Sequence, residues 1–120
     1  MNSSLLLDAR PGEGASVRRF LIKINRKPYW LTSKAFSYLA KLAHHHLNEP
    51  GYFLLRERFE PGTMQGRHIY RLREQIEGSG LVIESQHSCG YRLSGSAKVT
   101  WDREQIKKFP DAEVVQLFGE

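Results

Sequence analysis

The sequence predicts an α+β domain, and three observations predict it. Phe20, Ile22 and Ile24 alternate with Leu21 and Lys23 in the period of a half-buried strand. Apolar residues then recur at helical spacing in two separate stretches, Phe36 to Leu47 and Ile69 to Ile76. Finally, Leu81-Val82-Ile83 and Tyr91-Arg92-Leu93 bracket a short polar tip, which reads as a hairpin. The 120 residues suffice for one domain with one modest core, and a hydrophobic share of 40% argues against global disorder.

The elements follow in order. Residues 1–16 are weakly patterned; Leu5-Leu6-Leu7 reads as an edge strand and Pro11-Gly12-Glu13-Gly14 as a turn. The strand at Phe20 turns at Asn25-Arg26-Lys27-Pro28 and returns through Tyr29-Trp30-Leu31, giving a small antiparallel N-terminal sheet. Thr32 is placed to cap a first helix whose apolar face is Phe36, Leu39, Ala40, Ala43 and Leu47. Asn48-Glu49-Pro50-Gly51 stops it. A short second helix is expected from Leu54 to Glu60, ended by Pro61-Gly62. Thr63 can cap a third helix running to Glu77, with Ile69, Leu72 and Ile76 inward and Gly78-Ser79-Gly80 as its stop. The hairpin spans 81–93. In the tail, 95–120, Ala97 to Trp101 reads as a strand. Asp102 with Gln105 resembles a capping pair for a short helix reaching Phe109. Val114, Val115, Leu117 and Phe118 pack either back on the domain or onto a partner.

Charge is concentrated in the middle of the chain. From Val17 to Arg73 there are twelve Lys and Arg against three acids, while Glu74 to Glu120 carries five against eight, within a net charge of +5. A clustered basic region points to a polyanion, most simply nucleic acid. No apolar run approaches the roughly 20 residues of a membrane span, and no basic residue precedes Leu5 as in a signal peptide. A cytoplasmic protein is the expectation. The single cysteine, Cys89, excludes an intrachain disulfide framework and fits a reducing compartment.

With helix, turn, helix and hairpin in that order, residues 17–94 resemble the OmpR/PhoB-type winged helix-turn-helix effector domain of bacterial response regulators. Leu31-Thr32 stands where that family opens its first helix. His68, Ile69, Leu72, Arg73 and Ile76 match its recognition-helix pattern, and Gly90-Tyr91-Arg92-Leu93 matches its wing. The resemblance implies a three-helix core behind the N-terminal sheet. It also implies a transcriptional regulator that binds double-stranded DNA, often as a homodimer on tandem half-sites, and meets the transcription machinery. The chain departs from the pattern in having His87-Ser88 where the family's wing carries Arg-Gly. It also has Gln65-Gly66-Arg67 before the His-Ile, a short loop at 60–63, and too few residues ahead of Val17 for a receiver domain.

The site follows from the third helix. Arg71, mid-helix and outward, suits a bidentate grip on guanine O6 and N7. Tyr70, Glu74 and Gln75 are its neighbours for base contact: tyrosine for a thymine methyl or phosphate, glutamate for cytosine N4, glutamine for adenine. Arg67, Arg73 and Lys34 are placed for phosphates, with Arg56 and Arg58 as alternatives. His68 is either a phosphate contact or a packing histidine. His87 and Arg92 follow the backbone or minor groove from the wing. The plain alternative for such a helix is a solvated surface. His44-His45-His46 does not predict a metal site, because consecutive helical positions diverge by about 100°. Cys89 and His87 lack a third catalytic member, so no enzyme and no cofactor is expected. The rival reading is a winged-helix module that binds a protein, favoured by the weak wing tip. A weaker third is a binder of RNA or DNA shape alone.

Overall fold

The computed structural model describes residues 3–13, 18–59, 65–86, 89–94 and 97–119. Strands β1 (Ser4–Pro11), β2 (Arg19–Ile24) and β3 (Lys27–Thr32) lead into helix α1 (Ser33–Asn48). Strand β4 (Leu54–Leu55) runs into one 3-10 turn, Arg56–Arg58, and helix α2 (Gln65–Gln75) precedes strands β5 (Ile83–Gln86) and β6 (Gly90–Leu93). Strand β7 (Lys98–Trp101) and the short helices α3 (Arg103–Ile106) and α4 (Ala112–Phe118) follow. The class is α+β, as predicted.

Two sheets organise the chain. The larger has the order β3-β2-β1-β7, so the segment read as an edge strand lies inside it. The reason is the tail: β7 pairs parallel with β1, Ser4 opposite Lys98 through Leu7 opposite Trp101, giving β1 a neighbour on each side. Leu5 and Leu7 are accordingly fully buried. Neither terminal segment is an appendage. Between β2 and β3 the chain reverses at Asn25 and Arg26, both at positive φ (51° and 72°), the pattern of a tight type I′ hairpin turn. Lys27 and Pro28, expected in the turn, already belong to β3. The Asn25 carboxamide also accepts from the Ser4 N–H at 2.9 Å, anchoring the start of β1.

Thr32 caps α1, its hydroxyl accepting from the Ala35 N–H at 3.4 Å. The helix is not amphipathic in the simple sense the spacing suggests. Ala35 to Ala43 is buried without interruption, because α2, β6, α4 and β3 all pack around it. Its last turn outruns those layers, which leaves Leu47, expected on the apolar face, 43% exposed.

The predicted second helix, Leu54 to Glu60, is replaced. Leu54 and Leu55 pair with Tyr91 and Gly90 of the hairpin, giving a second sheet of order β4-β6-β5. Only one 3-10 turn remains of the expected helix. Thr63 lies outside the described residues. Gly78 and Gly80 take φ of +81° and +89°, a region glycine enters without steric cost, and they stop the chain after α2.

The tail folds onto the domain. Asp102 caps α3 by accepting from the Gln105 N–H at 3.1 Å, but α3 ends at Ile106, and a separate cap at Asp111 starts α4. Ile106, Phe109, Val114 and Phe118 are buried, with Phe109 between Phe20 and Phe36 at 4.7 and 4.6 Å. Val114 and Phe118 are therefore not a free assembly surface. Among the described residues, no helix is long and apolar enough to cross a membrane.

Candidate nucleic-acid interface

Helix α2 is sided by its own sequence. Gln65, Ile69 and Leu72 are buried and Ile76 continues that stripe just past the helix, all on the side facing α1. Arg67, Tyr70, Arg71 and Glu74 follow at i, i+3, i+4 and i+7 and are exposed, Tyr70 at 63%. Their side chains make no hydrogen bond or ion pair with any described residue. Three arginines stand against one glutamate along the helix, so the outward surface is cationic.

Gln75, Arg73, His68 and Lys34 each have a partner within the fold. Gln75, expected to read a base, turns to α1: its carboxamide accepts from the Thr32 N–H at 3.0 Å and lies 3.4 Å from the Thr32 hydroxyl. Its amide is thus used to join the two helices where α1 begins. Arg73, expected on a phosphate, donates to the Ile83 carbonyl at 2.6 Å and straps α2 to β5. His68 is half-buried with its ring 5.2 Å from that of Tyr38, which favours the packing role over the phosphate role. Lys34 is exposed in the first turn of α1 and has a partner of its own.

On the hairpin Arg92, expected to follow the backbone or minor groove, is held within the fold. Its guanidinium donates to the Gly51 carbonyl at 2.6 Å and to both Glu84 oxygens at 3.4 and 3.5 Å, and sits 4.4 Å from the centre of the Phe53 ring. Glu84 stands directly opposite it in the β5–β6 register, so strand pairing delivers the acid to the arginine. Hydrogen bonds from Arg92 and then Ser94 hold the Glu84 carboxyl below its ordinary value. His87 and Ser88 lie outside the described residues.

Gly90 fixes how the hairpin meets β4. A Cβ there would fall on the Leu54 carbonyl, so only glycine permits the approach. Tyr91 beside it is buried, edge-on to Phe59, which itself stacks on Tyr38 of α1 at 4.7 Å. This aromatic chain runs from the hairpin to α1, and Tyr38 in turn meets His68 of α2 at 5.2 Å, so aromatic packing links hairpin and α2.

Between them lies a cleft of about 500 Å³. Arg73 and Tyr70 from α2 and Arg56 from the 3-10 turn line it, with Ser85 and Gln86 of β5 on the other wall. Arg56 is thus brought beside the helix, whereas Arg58, two residues on, faces a different cleft. Ser85 and Gln86 carried no signal in the sequence, since hairpin polarity alone does not say which side chains face a helix. The three consecutive histidines diverge: His44 meets the Phe118 ring, His45 meets Glu49, and His46 meets the Ala97 carbonyl. Among the described residues no group of three or more His, Cys, Asp or Glu is placed to hold a metal ion. No protein-family model, no curated protein and no solved structure matches the chain, so its reading rests on this geometry.

Proposed function

We propose that the chain binds duplex DNA as a winged helix-turn-helix protein and acts in transcriptional control, with α2 entering the major groove and the hairpin lying alongside. The observation that carries this reading is the exposed stripe Arg67, Tyr70, Arg71 and Glu74, on a helix whose opposite face is buried. With its side chains an α-helix is about 10–12 Å across, which fits a major groove about 12 Å wide. Arg71 takes guanine, Glu74 accepts from cytosine N4, and Tyr70 meets a thymine methyl or a phosphate. Arg67, Lys34 and Arg56 neutralise phosphates, and the cleft between helix and hairpin takes one strand's backbone.

The test is selection of bound duplexes from a random pool at two salt concentrations, followed by Arg71→Ala on the enriched site. An enriched motif is expected, with affinity falling steeply as salt rises. Arg71→Ala is expected to lose about 1–3 kcal/mol on that site and less on random DNA. Unchanged affinity on both would end the reading.

One observation favours a second reading, a module that binds protein. Arg92 and Arg73 are held internally, while Tyr70 and Val82 are exposed at 63% and 54%. That reading predicts no salt-dependent binding to any duplex.

A further inference from the structure

A second cleft, about 520 Å³, shares no residue with the one beside α2. It opens between the C-terminal half of α1, the segment 49–58 and α4. Its volume lies within the roughly 300–1,000 Å³ of small-molecule sites. The walls divide by chemistry. Leu54, Leu55 and Leu117 are apolar, and the polar groups gather around Lys41 and His45.

Lys41 is 9% exposed, an unusual place for an ammonium. It donates to the Phe59 carbonyl at 2.7 Å and meets the Glu113 carboxylate at 3.1 Å. An ammonium has three N–H donors, so one remains beyond these two described partners. Glu113 reaches it from α4 while staying 56% exposed itself, a tethered carboxylate laid on a buried cation. His45 Nδ1 faces Glu49 at 3.3 Å, and its other ring nitrogen is buried with no hydrogen-bond partner among the described residues. Arg58, also in the wall, has no ion-pair partner among the described residues. Both acids in the wall are held, and the groups with capacity to spare are cationic or imidazole.

We infer that this cleft binds a small carboxylate with an apolar body. The ligand's carboxylate replaces Glu113 on Lys41 and reaches Arg58, while its body lies on Leu54, Leu55 and Leu117. Glu113 is then an internal competitor, and only the fraction of molecules in which it has swung away is competent to bind. This inference does not depend on DNA binding.

The experiment titrates the full chain with phenylacetate, and separately with neutral phenylacetamide, following backbone amides by NMR. For a ligand this small, saturable shifts at Leu54, Leu55 and Leu117 with a Kd on the order of 1 mM are expected. Phenylacetamide should bind at least about tenfold more weakly, since it offers no charge to Lys41 or Arg58. Two surface substitutions give opposite signs. Arg58→Gln should weaken phenylacetate about five- to tenfold, and Glu113→Gln should strengthen it about three- to tenfold by removing the competitor's charge. A purely structural Lys41–Glu113 pair would not produce that gain. Equal binding of the two probes, shifts that do not saturate, or an unchanged or weaker Kd in Glu113→Gln would overturn the inference.

Discussion

Helix α2 and the hairpin beside it both carry arginine, and they use it in opposite ways. Arg67 and Arg71 extend from α2 with no side-chain partner among the described residues. Arg92 is folded against Glu84, the Gly51 carbonyl and the Phe53 ring. Residue type does not separate them; neighbours do. On the strand, antiparallel register sets an acid directly across from Arg92. On the helix, the positions three and four after Arg67 are Tyr70 and Arg71, and Glu74, three after Arg71, makes no ion pair with it. Arg73 shows the intermediate case, on the helix but within reach of an unpaired strand carbonyl. An arginine is available to a partner only where its own fold offers it nothing better.

The contrast is broken most severely at the glycines. Gly90→Val would drive a side chain into the Leu54 carbonyl, part the hairpin from β4, and cost upward of about 3 kcal/mol in denaturant unfolding. Arg71→Ala and Arg92→Met sharpen it next. The first should leave stability within about 0.5 kcal/mol of the parent while lowering affinity for the selected duplex by about 1–3 kcal/mol. The second should lose about 1–2 kcal/mol of stability and much less affinity. Reversed roles would show that the hairpin, and not the helix, carries the binding. A smaller effect of opposite sign is expected in the helix. A Cβ at Gly66 meets nothing nearer than the Tyr91 hydroxyl at 3.9 Å, so Gly66→Ala should gain about 0.5 kcal/mol.

The smallest effect is pH-dependent. The Glu84 carboxyl is held below its ordinary value of 4.5, chiefly by the hydrogen bond from Arg92. A group depressed in the folded state contributes stability above its unfolded value and loses it as pH falls through the folded one. Acidification below 4.5 should therefore destabilise the parent slightly more than Glu84→Gln. In Arg92→Met the Glu84 titration, followed by NMR, should move up toward the ordinary value. Identical acid limbs for parent and Glu84→Gln would show that the pair contributes nothing.

What was legible in the sequence was whatever a local period or cap determines. Thr32, the buried stripe of α2 and the glycine stop at 78–80 are such features, and so is the exposed quartet around Arg71. What was not legible depended on segments distant in sequence. Leu54-Leu55 has a helical reading alone and becomes a strand because Gly90 admits it. Leu5-Leu6-Leu7 reads as an edge until β7 arrives beside it. Gln75 falls on the outward side by spacing, yet Thr32 claims it across 43 positions of sequence. The same limit applied to Lys41: the run Tyr38 to Ala43 does not reveal that a helix will be enclosed on every side, which is what makes its ammonium unusual.

The parallel pairing of β1 with β7 has a consequence for how the chain reaches this state. Strand β1 finds one of its two neighbours only after residues 12–97, which lie between them, have been made. Until then the hydrogen-bonding edge of β1, with Leu5 and Leu7 along it, stands open beside β2. Closing so long a loop is entropically slow, and strand pairing this remote in sequence marks a slow folder. The nascent chain is thus most exposed to edge-to-edge association before β7 appears. Docking of β7 is then the step that turns a partly assembled sheet into the finished one.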